Sequence, residues 1–337
     1  MSQLAAILGL SGPALTADEA RFIRDADPWA FILFARNIDT RAQVRRLTGD
    51  LRDAVGRDAL IFVDQEGGRV QRLRDPHWRR YPRASAYGAV HAKDPDAGRR
   101  AAYLGYRLIA DDLRAVGIDA DCAPVLDLPQ PGADPIISDR AFGDDIDRIV
   151  DLAHAAMAGL MCGGVAPVIK HMPGHGRATV DSHLSLPRID ADAQTLAESD
   201  FVPFKRLNAA PMAMTAHVVL SDIDPDPVTL SRHAIQSVIR DRIGYDGLLM
   251  TDDLDMKALT GNNLAAKTTA VLEAGCDVAL QCSGKLPDMK AVAEGARRLS
   301  GKSLERARIA ELSRLSPQTF DRTDAEAKFD QLMMQVA

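Results

Sequence analysis

The chain has 337 residues, 46% of them hydrophobic and 26% charged, with a formal net charge of −6. That length can bury a large core, and an acidic balance without a basic block argues against nucleic acid as the main partner, because a phosphate-binding face needs clustered Lys and Arg. Cys122, Cys162, Cys276 and Cys282 have neither CxxC spacing nor the density of a disulfide scaffold, and read as reduced core thiols.

In chain order, the opening MSQLAAILGLSGPALTADEA has no Lys or Arg and too short an apolar run for a secretory signal. It reads as a strand over 4–10 and then a helix start, where Thr16 and Glu19 have capping-box spacing. Further apolar runs at 30–35, 60–65, 118–128, 165–171, 211–220, 247–253 and 277–282 bring the candidate strands to eight. They are rich in Val, Ile, Leu and Ala rather than alternating, as parallel strands covered on both faces should be. Helix patterns fill 39–55, 97–117 and 231–244, with Ser or Asp near each start. No segment approaches the roughly 20 apolar residues of a membrane span, so a cytoplasmic protein without a membrane partner is expected.

Eight strands alternating with helices predict a single α/β domain over 1–337, a (β/α)8 TIM-type barrel, with 300–337 as a helical C-terminal appendage packed on it. A doubly wound sheet is the rival, but no GxGxxG follows an early strand and no Walker-type loop is present. Active sites of such barrels lie at the C-terminal strand ends. Here those ends read VDQEGGRVQR (63–72), VLDL (125–128), IKHMPGHG (169–176), TAHVVL (215–220) and MTDDLDM (250–256). A single polar strand end is an ordinary helix cap, whereas several converging on one rim suggest a site.

The segment KHMPGHGRATVDSH (170–183) concentrates three histidines. His171 and His175 have the i, i+4 spacing of a helical metal pair, but Pro173 and Gly174 between them break any helix, and no metal is expected. Asp181 and His183, two apart, could form a carboxylate–imidazole pair for proton transfer, or simply a helix cap beside a surface histidine. Ser182 lacks a GxSxG turn. In MTDDLDM, Asp252 follows a strand-like run that should aim it into the barrel mouth. Asp253 and Asp255 could cap a following helix, and spacing does not choose among the three.

KHMPGHG followed by DSH resembles the signature of glycoside hydrolase family 3, in particular its β-N-acetylglucosaminidases. VIRDRIGYDGLLMTDDLDM (238–256), DQEGGRVQR (64–72) and SDRAFG (138–143) are similar to further family segments, in the expected order. Met172 stands where the family more often has Phe. The resemblance covers the chain to about residue 285 and implies a retaining, exo-acting double displacement without a cofactor. Asp252 would be the nucleophile, and His183, partnered by Asp181, the acid–base. Asp64, Arg72, Arg140, Lys170 and His171 match positions that bind the non-reducing N-acetylglucosamine. His175 and His217 are expected to be structural, and the loop near 173–183 is expected to close over the sugar, with glycines absorbing the change. The implied substrate is a muropeptide fragment of peptidoglycan, GlcNAc-1,6-anhydroMurNAc and its peptides, cleaved by a monomer. A phosphorylase, another family 3 β-glycosidase and a non-catalytic sugar-binding barrel are the alternatives.

Overall fold

A computed structural model describes residues 2–182, 184–259, 261 and 263–334. Eight parallel strands close into a barrel in sequential order: β1 (Leu4–Gly9), β2 (Pro28–Leu33), β3 (Leu60–Val63), β4 (Ala120–Asp121), β5 (Ala166–Met172), β6 (Met212–Thr215), β7 (Leu248–Asp253) and β8 (Val278–Gln281). Register runs Ile7–Ala30 between the first two strands and returns from β8 to β1 through Ala6–Ala279. The expected fold, a TIM-type α/β barrel, is therefore the observed one, with each expected strand at its place in the chain. Apolar runs suit it because inward residues fill the barrel while outward ones meet the helices.

The helix termini follow their capping chemistry. Thr16 Oγ1 accepts from the Glu19 amide at 3.2 Å while Glu19 Oε2 accepts from the Thr16 amide at 2.9 Å, so the capping box starts the helix Ala17–Ala26. The helix expected over 97–117 spans Pro95–Arg114, begun by Asp94 with Pro at its first turn. The one expected over 231–244 begins at Ser231, whose hydroxyl accepts from the Ala234 amide, and then widens into π-helical turns over Ile235–Arg242. Periodicity does not distinguish that widening from an ordinary helix.

The expected strand 118–128 is shortened in the sheet to two residues. The chain then turns at Ala123–Pro124, a cis bond, and Val125 makes only an isolated bridge to Lys170. The expected strand 211–220 likewise ends at Thr215, and Val219–Leu220 pairs instead with Arg188–Ile189.

Beyond β8, the helix Gly301–Leu312 returns to the N-terminal end of the barrel, where Trp29 Nε1 donates to Glu311 Oε1 at 2.8 Å. Helix Arg322–Met333 lies on the outer layer. Its Phe329 is buried against Tyr87, and Arg322 Nη1 reaches Asp111 at 2.7 Å and Asp112 at 3.0 Å. Among the described residues no helix is long and apolar enough to cross a membrane.

Candidate active site

A cavity of about 320 Å³ opens at the C-terminal ends of the barrel strands. Asp64, Glu66, Arg72, Arg140, Lys170, His171, Asp252 and Asp253 line it together with Phe34, Val70, Ile136, Ile137 and Met214. The site is thus a ring of charge with a partly apolar wall.

The segment after β3 forms a short antiparallel hairpin, Gln65–Gly67 with Val70–Gln71. Its turn needs Gly67 (φ 98°) and Gly68 (φ 58°), and a Cβ on Gly67 would stand 2.2 Å from the Pro82 carbonyl oxygen. Gln65 Oε1 accepts from the amides of Arg72 and Leu73 at 2.9 and 3.0 Å, fixing where Arg72 emerges. Asp64 then receives Arg72 Nη2 and Lys170 Nζ, both at 3.0 Å. Glu66 takes Arg140 in two bonds, 2.9 and 2.8 Å, and Lys170 Nζ at 2.7 Å.

Lys170 therefore bridges two carboxylates and is itself buried. Burial works against ionisation of Asp64, but Lys170 and Arg72 outweigh it and hold the carboxyl far below its ordinary range. Glu66, opposed by the same burial, is brought down to about 2 by Arg140 and Lys170. Both are ionised at neutral pH and can only accept hydrogen bonds, as sugar hydroxyl donors require.

His171, next in the chain after Lys170, lines the same cavity. Its Nδ1 donates to buried Asp127 Oδ2 at 2.6 Å, and Arg140 Nη2 lies 3.4 Å from its Nε2. Asp127 Oδ1 also accepts the His175 amide at 2.7 Å, so one carboxylate at the end of the β4 segment anchors the start of the loop after β5. His175 Nε2 meets Ser182 Oγ at 3.2 Å, and the Ser182 carbonyl accepts the Ala258 amide at 3.2 Å. His175 is therefore a brace across the loop. Burial first, then His171, pushes its pKa down to about 4.

Asp252 stands at the end of β7 and lines the cavity. Its Oδ1 accepts the Asp253 amide at 2.8 Å. Burial raises its pKa, but His217, His171 and that amide prevail and lower it, leaving a carboxylate. His217 is fully buried and donates Nε2 to the Asp253 carbonyl at 3.0 Å, which fixes the backbone beside Asp252.

Asp253 and Asp255 do not cap a helix. Asp253 Oδ1 accepts the Cys282 amide at 3.0 Å, Asp255 Oδ2 accepts the Ser283 amide at 3.1 Å, and the next helix starts at Leu264 with Asn263 as its cap. Burial, with Asp255 nearby, raises the Asp253 carboxyl to about 7.

The loop after β5 carries Asp181, half-buried, whose carbonyl accepts the amides of Leu184 and Ser185. His183 lies outside the described residues. Gly174 and Gly176 are buried packing positions: added Cβ atoms would stand 3.1 Å from Asp200 Cβ and 1.9 Å from the Leu128 carbonyl oxygen.

The structure thus brings Asp64, Arg72, Arg140, Lys170, His171 and Asp252 into one cavity. Sequence reasoning missed Glu66, Asp127 and the part of Ser182 as the partner of His175. Glu66 sat inside the quoted DQEGGR run, and Asp127 at a polar strand end, so both were visible without an assigned task. Among the described residues no group of three or more His, Cys, Asp or Glu side chains is placed to hold a metal ion.

A closed parallel barrel with an ion-paired cavity at its C-terminal face, able to accept hydroxyl donors, has the architecture of a barrel enzyme. Residues 1–314 match the glycosyl hydrolase family 3 N-terminal domain, and the chain belongs to that family. It is 40% identical over 280 residues to the beta-hexosaminidase of Alkalilimnicola ehrlichii, covering 82% of this chain and 80% of that one. Against the beta-hexosaminidase of Pseudomonas aeruginosa the identity is 38% over 311 residues, covering 92% and 89%. Native NagZ from Neisseria gonorrhoeae superposes with a TM-score of 0.86 at 28% identity, over 100% of this chain and 97% of that one. The protein is a glycoside hydrolase of the β-N-acetylhexosaminidase class.

Proposed function

We propose that the chain, acting as a monomeric single catalytic domain over 1–337, removes terminal non-reducing N-acetylglucosamine from cytoplasmic peptidoglycan fragments, GlcNAc-1,6-anhydroMurNAc and its peptides. The observation that carries the mechanism is Asp252, an ionised carboxylate at a strand end facing a cavity in which Asp64 and Glu66 are tied to cations and burial raises Asp253 to about 7. Asp252 attacks the anomeric carbon and forms a covalent glycosyl-enzyme with retention after hydrolysis. His183, held by Asp181, gives its proton to the departing oxygen and then takes one from water.

Asp64, with Arg72 and Lys170 fixing it, accepts sugar hydroxyl protons. Arg140 and His171 address the remaining oxygens, and the apolar wall of Val70, Ile136, Ile137 and Met214 suits an N-acetyl methyl and the sugar faces. The neighbour NagZ from Neisseria gonorrhoeae was crystallised with N-trifluoroacetyl-D-glucosamine, an N-acylated glucosamine of the same chemical type. A fluorinated N-acetylglucosaminide that accumulates as the glycosyl-enzyme tests the assignment. Peptide mapping should find the label on Asp252, and a label on any other residue overturns it.

A further inference from the structure

The segments that enter β7 and β8 wall a second cavity, of about 240 Å³, at the N-terminal end of the barrel. Arg232, Arg240, Arg297 and Arg306 line it with Asp277 and Ser303, four guanidiniums against one carboxylate. This excess stands out in a chain whose net charge is −6.

Asp277 is buried and already saturated. Its Oδ2 accepts Arg240 Nη2 at 3.0 Å and the Leu249 amide at 2.9 Å, while Oδ1 accepts Ser303 Oγ at 2.6 Å and Arg306 Nη1 at 3.3 Å. Arg306 has a second partner in Asp246, at 2.5 Å. Arg240 and Arg306 are therefore held in place and largely compensated. The other two are not. Arg297 Nη2 makes a single bond, to the Leu272 carbonyl at 2.9 Å, and neither Arg232 nor Arg297 has a carboxylate partner among the described residues. Both are exposed at the cavity. Like charges gathered in a concavity repel one another and concentrate anions there. Guanidinium forks match the oxygen spacing of a phosphate, and the apolar wall is confined to Ile235, Ala274 and Gly275, too little for a large apolar ligand.

We infer that this cavity binds a small dianion of the phosphate class through Arg232 and Arg297, over a base fixed by Arg240, Arg306 and Asp277. Free phosphate and the phosphoryl group of a sugar phosphate share the required chemistry.

Calorimetric titration at constant ionic strength, with inorganic phosphate in one arm and glucose 6-phosphate in the other, tests the inference on the full chain. One saturable site is expected, weakened at least about tenfold in an Arg232→Gln/Arg297→Gln double variant. Tighter binding of glucose 6-phosphate would identify a phosphorylated metabolite as the occupant, and equal binding would identify phosphate itself. The two side chains are exposed and distant from the sugar cavity in the barrel, so aryl N-acetylglucosaminide hydrolysis in the absence of phosphate should be unchanged in the variant and would report that it is folded. Absence of saturable binding overturns the inference. Binding that the folded double variant retains does so as well, by locating the anion among the cations of the sugar cavity.

Discussion

Replacing Glu66 by Gln removes one charge from a buried network while nearly preserving shape. In the native protein Asp64 and Glu66 face Arg72, Arg140 and Lys170, two negative charges against three positive. The variant leaves Arg140 beside a neutral amide while Lys170 keeps only its Asp64 partner, and such a loss of compensation for a buried charge costs about 3–5 kcal/mol. The depression of the Glu66 carboxyl from 4.5 to about 2 leads independently to a loss on the order of 3 kcal/mol. With an unfolding entropy of about 2.1 cal/mol/K per residue over the chain, that is a fall in Tm of about 4 °C.

The pH dependence identifies the cause. Because the folded pKa is depressed, the stabilisation is fully present above pH 4.5 and is lost as pH falls toward about 2. Urea unfolding of the parent and Glu66→Gln should therefore show a constant gap above about pH 5 that narrows below pH 4.5. A gap under about 0.5 kcal/mol at pH 7, or one that ignores pH down to 3, would refute the electrostatic account.

Three other outcomes follow from the same geometry. Asp252→Asn should lower kcat by at least about a thousandfold, or ~4 kcal/mol, in steady-state assays, with KM for the sugar little changed. His183→Ala should slow substrates with poor leaving groups most and activated aryl glycosides least, whereas Asp253→Asn should show no such dependence. Equal losses on both substrate types in His183→Ala would remove the acid role. His175, whose folded pKa of about 4 lies below the ordinary 6.5, takes up its proton more readily when unfolded. Its contribution is complete above pH 6.5 and fades toward pH 4, so His175→Gln should flatten stability across that window in urea titrations.

Much of the fold was legible because parallel barrel strands repeat one composition, buried on both faces, and the helices between them begin at side chains that cap. What periodicity does not encode is where the sheet hydrogen bonds stop. Strand β4 is regular over two residues only, its irregular continuation still accepting the Val168 and Lys170 amides at the Ala123 and Pro124 carbonyls, and Val219–Leu220 leaves the barrel to pair with Arg188–Ile189. The site shows the same division. Asp64, Arg72, Lys170 and Asp252 stand at strand ends or in the adjoining hairpin, where the barrel itself aims them at the mouth. Glu66 and Asp127 act through partners 74 and 44 residues away, Arg140 and His171, and no local pattern states such a pairing. For His175 the sequence offers a structural part but not its partners, since the i, i+4 relation to His171 is a local feature while Ser182 and the Asp127 carboxylate are brought to it by the loop path.

The charge arrangement also explains why, in the proposed mechanism, an imidazole on a loop serves as the acid. Asp64 and Glu66 are held ionised by Lys170, Arg72 and Arg140, and making either a proton donor would require breaking those pairs. Asp252 must stay ionised to attack, and its lowered pKa keeps it so. The remaining cavity carboxyl, Asp253, is the one raised to about 7, yet its Oδ1 is committed to the Cys282 and Asp255 amides. A second anion near Asp252 would also be repelled, whereas an imidazolium is attracted. In that mechanism a histidine from the loop braced by His175 and Ser182 would supply the proton without dismantling the pairs proposed to hold the sugar.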